Sequence, residues 1–538
     1  NVTNIQRALE GKAAGVQIVS ANGLPGASVN INIRGKSSIN GGITPLYILD
    51  GVQVTAGDFA KLVQTSNLMS GLNPEDIESI DILKDAATAS IYGAQAANGV
   101  IIIKTKRGTQ GVPKINFSIN YGLDMVNDNI KLCNSEQYID LDLRGIYNRY
   151  GNSSSNFTTP FNTYKSRGWI LSEASEYPNI VFDSKKIPHD NWKKAIFRKG
   201  FTREYQLGVS AGNEHVKSYI SGSFNNSDAS TIFNYFKRAS VRSNVDINVN
   251  KWLDINNSTT FGNSQQRQPT TGGLIATPVR GVLNMIPYNR IYNEDGSLNV
   301  NNLEGAQTTN PVQASELNIY KLTINKLTHS TDFVFHILPD LELQVSGKLD
   351  YNTLYEHQYL DPLTPQGKAY NGFIATTNTK ILSLQTSETL NYRKVSANGK
   401  HRLNVLAGFE YKDYENRSNQ TSAADVPSSD FKLLSEAGVI DGYSETFTGY
   451  KLIGLFGRVG YTLSDKYIFN FVVRRDGSSR FGDNKKWGVF PSVSTAWRLS
   501  EETFFKEKKW INDLKFRLSY GLTGNSDIGD FVAKPQFA

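Results

Sequence analysis

A single cysteine, Cys133, occurs among the 538 residues, which excludes an intrachain disulfide framework and a cysteine-based zinc cluster. Long apolar runs are missing as well. The densest is Val100-Ile101-Ile102-Ile103, far below the roughly 18 residues that a membrane helix needs. A helical membrane protein is thereby excluded. A membrane β-barrel is not, because alternating strands average to a polar hydropathy, here −0.38. An excess of one charge is also lacking: 57 Lys and Arg face 50 Asp and Glu, for a net charge of +7. The basic stretches at 104–107 and 506–509 are short, and Glu507 interrupts the second, so no basic face for nucleic acid is evident. The opening residues, Asn1-Val2-Thr3-Asn4, lack the basic start and apolar core of a signal peptide, as expected of a trimmed or excerpted chain. What the chain has in quantity is aromatic surface, 26 Tyr and 27 Phe, which excludes a disordered polymer.

Two regions differ in periodicity. Residues 1–111 have the pattern of a compact α/β domain. Val2, Ile5, Leu9 and Ala13 are spaced as on a helix over 2–16. Val29 to Gly35 alternates as a strand, and Leu46 to Leu49 is an apolar strand ending in the turn pair Asp50-Gly51. Asn73-Pro74-Glu75-Asp76 is a helix start, but Ile77 to Leu83 alternates again, so that helix is short. Ala86 to Tyr92 predicts a second short helix, and Asn98-Gly99 turns the chain into a strand over Val100 to Lys106.

From Lys114 onward the chain shows long two-residue alternation. Val241, Val245, Ile247 and Val249 oppose Arg242, Asn244, Asp246 and Asn248; Leu341 to Tyr351 and Leu514 to Tyr520 alternate in the same way. These runs reach the 9–11 or so residues of a tilted membrane strand. Short turns at 212–214, 250–251, 339–340, 397–399 and 464–465 alternate with polar excursions at 123–202, 225–239, 262–330, 352–380, 412–450 and 476–490. Short turns on one side and long loops on the other are the signature of an outer-membrane barrel. About thirteen strands are expected, and an odd, unclosed set leaves unpaired backbone in lipid at several kcal/mol per group. The chain is therefore expected to be the first part of a barrel.

The segments PLYILDGV (45–52), VNINIRG (29–35) and IESIDILKDAATASIYGAQAANGVIIIKTK (77–106) resemble the plug domain of TonB-dependent outer-membrane transporters, in the wording of the SusC/RagA branch from Bacteroidetes. RDGSSRFGDNKKWGVFPSVSTAW (475–497) and LKFRLSYGLTGN (514–525) resemble the barrel of that branch. The resemblance implies a mainly β fold, with an N-terminal α/β plug (1–111) in the lumen of a transmembrane antiparallel barrel (112–538). The complete barrel would have about 22 strands. It implies TonB-dependent import of an oligosaccharide or a peptide across the outer membrane of a Gram-negative bacterium. The implied partners are the TonB–ExbB–ExbD motor, acting through a box upstream of this chain, a SusD-like surface lipoprotein, and outer-membrane lipid with lipopolysaccharide. Neither cofactor nor metal is implied, and no catalytic residue. The family's signal sequence, N-terminal carboxypeptidase-D-like domain, TonB box and closing strands lie outside this sequence.

By the same resemblance, Arg34, Gly35, Asp50, Gly51, Asp81, Lys84, Asp85, Tyr92, Gly93, Asn98 and Gly99 are plug-motif positions that shape or gate the plug. The charges Asp81, Lys84, Asp85, Lys104, Lys106 and Arg107 are expected to face a polar lumen wall. Tyr355, Tyr359 and Tyr414 fall in long excursions, with Tyr351 and Tyr411 at their edges, and all five are candidates for touching substrate. Asp476 and Arg480 belong either to a ligand loop or to a structural rim. Trp487, Trp497 and Trp510 fit an interfacial girdle better than a sugar platform. A rival signal, Gly208-Val209-Ser210-Ala211-Gly212, spells the nucleophile elbow of hydrolases, but it lies in an alternating strand where the elbow needs a strand–turn–helix. An outer-membrane esterase or adhesin is the alternative reading. The six histidines have no metal-site spacing, and Asn293 to Ser297 is a turn.

Overall fold

The computed structural model describes residues 5–35, 41–127, 129–172, 177–269, 277–300, 303–305, 309–506 and 511–533. The expectations for Val2 and Trp510 lie outside them.

The inner domain carries β1 (Val16–Ser20), β2 (Val29–Ile33), β3 (Leu46–Leu49), β4 (Val52–Val54), β5 (Ile77–Leu83) and β6 (Val100–Thr105). β1 and β2 pair antiparallel, and the other four form a sheet ordered β4-β3-β6-β5, with β3 and β6 parallel. Asp50 and Gly51, at φ 46° and 85°, make the two-residue turn between β3 and β4. Alternate residues (Val29, Ile31 and Ile33, then Tyr47 and Leu49, then Ile101 and Ile103) meet in one core with Met69 and Leu72. Each such side chain contributes roughly 1.5–3 kcal/mol on burial. Asn73 caps a single 3₁₀ turn at Pro74–Asp76, and α1 (Ala86–Ala89) runs into a second 3₁₀ stretch at Ser90–Gln95. The helix expected over 2–16 is reduced to one turn, Arg7–Leu9. Gly11 and Gly15, both at φ 71°, break it, because a left-handed residue ends helical propagation.

The outer region is one antiparallel meander of thirteen strands, each bonded to its sequence neighbours. They are β7 (Gly111–Asp124), β8 (Gly200–Gly212), β9 (Val216–Asp228), β10 (Tyr235–Asn250), β11 (Leu253–Arg267), β12 (Ile319–Leu338) and β13 (Leu341–Leu360). The remainder are β14 (Phe373–Val395), β15 (His401–Ala424), β16 (Val439–Leu463), β17 (Tyr467–Ser478), β18 (Trp487–Arg498) and β19 (Lys515–Gly521). The alternation is as expected on β10: Val241 is exposed outward, whereas Arg242 and Asn244 are buried inward.

The strands differ from expectation in length. β12 to β16 run 20 to 25 residues, so the connections between them contract to 361–372 and 425–438; 229–234 and 479–486, elsewhere in the sheet, are short as well. The reason is physical. Above the apolar band the outward face is also polar (Thr353, Lys380 and Arg417 are paired neighbours there), so pairing continues while hydrophobic alternation disappears. Two connections stay long. The segment 125–199 folds into α2 (Ser135–Tyr150), α3 (Ser155–Ser166) and α4 (Trp192–Ile196), and 268–318 into α5 (Pro278–Asn284) and α6 (Pro311–Leu317). Asn134 and Gln137 cap α2 reciprocally. The two excursions share aromatic cores: Phe157, Phe161, Tyr164 and Trp169 pack with Tyr288, and Trp192 packs with Val282.

Candidate functional site

The inner domain is held against the sheet by buried polar contacts between its loops and the inward-facing residues. Asp50, in the left-handed turn, accepts from the Thr105 amide (3.0 Å) and hydroxyl (2.7 Å) and pairs with Arg242 of β10. The two side chains are 5% and 3% exposed, so the charge pair is desolvated. Arg242 also donates to Thr260 (2.6 Å). Asn244, two residues along the same face, donates to the Lys106 carbonyl (2.6 Å), and Arg107 pairs with Asp246. Asp76 accepts from Ser221 (2.7 Å) and Tyr219 (3.0 Å) of β9.

A second contact uses the loop after β4. Glu356 of β13 accepts from three consecutive backbone amides, Lys61 (3.0 and 3.1 Å), Leu62 (2.9 Å) and Val63 (3.0 Å), and is fully buried. Asp350 accepts from the Thr55 amide (2.7 Å) and from Lys326 (2.7 Å). Val63 and Leu68 enter an apolar cluster with Tyr320, Leu354 and Tyr414 of the sheet.

A third contact holds the 3₁₀ stretch. Asp476 accepts from the Ala94 amide (2.6 Å), and Arg474 reaches the Ile91 carbonyl (2.6 Å), Asp476 (2.6 Å) and Glu410 (2.8 Å). Gly93 sits at φ 52°, ψ −119°, and a Cβ there would lie 1.9 Å from the Asp476 carboxylate. Only glycine allows this approach. Ser90 and Ser492 meet oxygen to oxygen at 2.6 Å. Burial, with the Glu410 carboxylate nearby, raises the Tyr92 hydroxyl above its ordinary value; burial pushes Tyr47 up to about 12. Both phenols stay neutral, and Tyr47 accepts from the Gln6 amide (3.0 Å).

Above these contacts lies a cavity of about 380 Å³ between the two regions. Tyr47, Phe59 and Asn98 line it from the inner domain; Lys412, Tyr414, Tyr450 and Arg480 line it from the sheet. Tyr414 and Tyr450 stack at 4.8 Å, and the Arg480 guanidinium lies 3.8 Å over the Tyr450 ring, held by Asp530 (2.6 Å) and Asp527 (3.2 Å). The Asn98 amide donates to the Gly42 carbonyl (2.7 Å), and Gly99, at φ 83°, packs against Ile33.

Several expectations need correction. Tyr351, Tyr355, Tyr359, Tyr411 and Tyr414 are all on strands, not in loops, because β13 and β15 continue beyond the apolar band. Tyr351, Tyr355 and Tyr411 have outward parity, away from the cavity, and Tyr359 is buried with its hydroxyl on Asp361 (3.2 Å). Of the five tyrosines, only Tyr414 lines the cavity. Asp476 lies on a strand and binds the inner domain; Arg480 lies just beyond that strand, at the cavity. Among the described residues, Asp81, Lys84 and Asp85 bond within the inner domain and not to these thirteen strands. Asp85 pairs with Arg34 (2.7 Å), beside Gly35 at φ 91°; Lys84 donates to the Ala14 carbonyl (2.7 Å), and Asp81 faces Lys104 at 4.0 Å. These groups are half-exposed and tie the inner domain to itself. Ser210 lies inside β8 and accepts from the Thr109 amide (3.1 Å), with a strand on either side. Among the described residues no group of three or more His, Cys, Asp or Glu is placed to hold a metal. Sequence reasoning missed Glu356, Arg474, Asp350 and Lys412; the available signal was a charge of inward parity on a strand.

A small α/β domain latched by buried charges inside an antiparallel membrane-type sheet defines a class. The chain belongs to the TonB-dependent receptors. Residues 249–533 match the family described as TonB dependent receptor-like, beta-barrel, and residues 1–100 match the TonB-dependent Receptor Plug Domain. Barrels of this family sit in the outer membrane. Among curated relatives, the chain is 30% identical to TonB-dependent receptor P3 of Formosa agariphila, over 99% of this chain and 49% of the relative. It is 28% identical to TonB-dependent receptor SusC of Bacteroides thetaiotaomicron, over 99% of this chain and 51% of the relative. The chain thus spans about half the length of these relatives. Among solved structures, the RagAB peptide transporter superposes with a TM-score of 0.83 at 25% identity, covering 98% of this chain and 59% of that one. The ferric citrate transporter FecA shares the fold, with a TM-score of 0.54 at 12% identity.

Proposed function

We propose that this chain is the plug (1–111) and the first part of the wall (112–538) of a transporter that imports an oligosaccharide or a peptide across the outer membrane of a Bacteroidetes-type bacterium. Substrate enters the outer cavity, where Tyr414 and Arg480 stand against the plug. A SusD-like lipoprotein covers the outer loops, and the TonB–ExbB–ExbD motor pulls the plug from the periplasmic side. The plug-motif residues shape and gate the plug. The observation that carries this reading is the latch set: Asp50–Arg242, Glu356 with amides 61–63, and Asp476 with Ala94 hold the plug by polar contacts that release without breaking a covalent bond. The likeness to the RagAB peptide transporter supports the peptide class, and the SusC/RagA resemblance of the plug and barrel segments supports the oligosaccharide class.

The test is a reversible lock. Ser90→Cys with Ser492→Cys, in a Cys133→Ser background of the full-length protein, places two thiols where the hydroxyls now touch at 2.6 Å. Growth on a defined oligosaccharide or peptide mixture as sole nutrient is expected to stop under oxidation and return on reduction. Undiminished growth with the cross-link in place would sink the reading. Ser210→Ala is expected to leave growth unchanged; its loss in a folded protein would favour the esterase alternative instead.

A further inference from the structure

The cavity between plug and wall carries a charge that no described residue neutralises. Its charged lining consists of Lys412, Arg480, Asp527 and Asp530. Arg480 takes both aspartates, Asp530 at 2.6 Å and Asp527 at 3.2 Å, and donates further to the Ser526 carbonyl (3.0 Å). That leaves the Lys412 ammonium. Among the described residues it forms no ion pair: its Nζ donates to the Gln53 side-chain oxygen at 3.3 Å and lies 5.7 Å from the centre of the Tyr450 ring. An amide oxygen and a ring face orient an ammonium without cancelling its charge.

Lys412 belongs to a row that crosses three strands. Lys348 of β13, Gln385 of β14 and Lys412 of β15 are directly opposed, so the two lysines stand two strand spacings apart, about 10 Å. Gln385 fixes the inward direction of the row: it accepts from the Gln53 amide (3.0 Å) and donates to the Gln53 carbonyl (2.8 Å) on plug strand β4. Lys348 faces the Asp50-Gly51 turn, its Nζ 3.8 Å from where a Cβ on Gly51 would stand, and it too forms no ion pair among the described residues. Behind Lys412 lies a smaller space of about 30 Å³, lined by Lys348, Gln385, Glu410 and Asp476. Arg474 holds both of those acids, Glu410 at 2.8 Å and Asp476 at 2.6 Å. Every carboxylate lining either space is therefore paired, and two lysines are not.

The tyrosine faces in the outer cavity are already engaged. Tyr414 stacks on Tyr450, the Arg480 guanidinium lies over the same ring, and Tyr47 is only 2% exposed. A substrate gains little by stacking on these rings and is read by hydrogen bonds and charge. The half-buried Lys412 ammonium then discriminates. A neutral substrate that fills the cavity strips water from the ammonium and returns no charge, which is costly. A carboxylate replaces that water with a charge-assisted hydrogen bond, stronger than the neutral one at Gln53.

We propose that Lys412 is a specificity-determining residue of the outer cavity and that the imported substrate carries a carboxylate, either as a uronic acid in an oligosaccharide or as an acidic group of a peptide. The carboxylate draws the Lys412 ammonium from Gln53, and Lys348, in the same row, is the next unpaired cation along the plug. This inference rests on the import reading and adds to it the sign of the substrate's charge.

The experiment uses the full-length protein, purified from its own outer membrane after cells have been offered two pools. One is a partial hydrolysate of plant and algal polysaccharides and the other a peptic digest of casein, each supplied as free acids mixed with an equal amount of their neutral methyl esters. Bound ligands are released and identified by mass spectrometry. The parent protein is expected to retain free acid over ester by at least about tenfold, the effect of one charge-assisted hydrogen bond. Lys412→Gln is expected to bring that ratio close to one, Lys412→Arg to keep it, and Lys380→Gln, on the outward face of β14, to leave it unchanged. Heat-modifiable gel mobility reports an intact barrel in each variant; should Lys412→Gln fail to assemble, the parent ratio decides alone. The pool from which the acids come names the source of the carboxylate. A parent that retains acids and esters alike, or a ratio unchanged in Lys412→Gln, overturns the proposal and leaves import standing. A protein that retains nothing from either pool overturns the import reading, and this inference with it.

Discussion

Removing the Glu356 carboxylate should free the outer loop of the plug and little else. In the folded protein its Oε1 accepts from the amides of Lys61, Leu62 and Val63 at 2.9–3.0 Å, and no solvent reaches it. Glu356→Ala leaves three buried amides without an acceptor, at about 1–3 kcal/mol each. Side-chain contacts of the same loop, such as Asp58 with Ser66 at 2.8 Å, persist, so the loop should open locally rather than unfold the plug. Taking about 3 kcal/mol as the lower bound, opening rises more than a hundredfold, since 1.4 kcal/mol is a factor of about ten. Glu356→Gln keeps a carbonyl oxygen in place and loses the charge assistance and the second acceptor on the Lys61 amide, so about tenfold is expected. Hydrogen exchange at amides 61–63 reads this directly, and trypsin added outside intact cells reads it at Lys61. The control is internal: amides of β6 (Val100–Thr105), a strand paired on both sides, should exchange as in the parent protein. Unchanged exchange at 61–63 in Glu356→Ala would refute the argument that this carboxylate holds the loop.

Other consequences are equally direct. Arg242→Ala strands the Asp50 carboxylate in a desolvated site and should cost about 3–5 kcal/mol in plug retention, measured by urea-dependent protease access; Arg242→Met with Asp50→Asn, which removes the charge but keeps the left-handed turn and an acceptor for Thr105, should recover much of that loss. Gly93→Ala drives a Cβ into Asp476 and Arg474 and should detach the 3₁₀ stretch, read as new reactivity of a thiol at Ser90. Val245→Arg should destabilise the folded barrel by about 2–4 kcal/mol, while Asn244→Arg on the lumen face should not carry that lipid cost, in the same vesicle-folding assay. Glu502, in the connection between β18 and β19, is held down to about 2 by hydrogen bonds from Lys466, Tyr467 and Trp497. Its depressed value means that the clasp stabilises the folded form above pH 4.5 and is lost as the pH falls toward about 2, which Trp497 fluorescence follows.

The alternation of apolar and polar residues was enough to locate the strands wherever one face meets lipid, because a period of two then separates two solvents. Val241 outward and Arg242 inward follow from that rule alone. The turn pairs Asp50-Gly51 and Asn98-Gly99 were legible because the left-handed backbone at Asp50, Gly51 and Gly99 selects such residues. The same rule fails above the membrane, where water lies on both sides of β13 to β16; Tyr351, Tyr355 and Tyr411 therefore looked like loop residues. It also cannot pair residues distant along the chain. Asp50 with Arg242, Glu356 with Lys61 to Val63, and Asp476 with Ala94 are separated by 192, 293 to 295 and 382 positions, and only the packing of the sheet against the plug brings them together. Sequence by itself determined which residues face lipid, because that is a local choice between solvents; the tertiary structure decided which charges meet, because a desolvated carboxylate is tolerated only where distant chain supplies its partner.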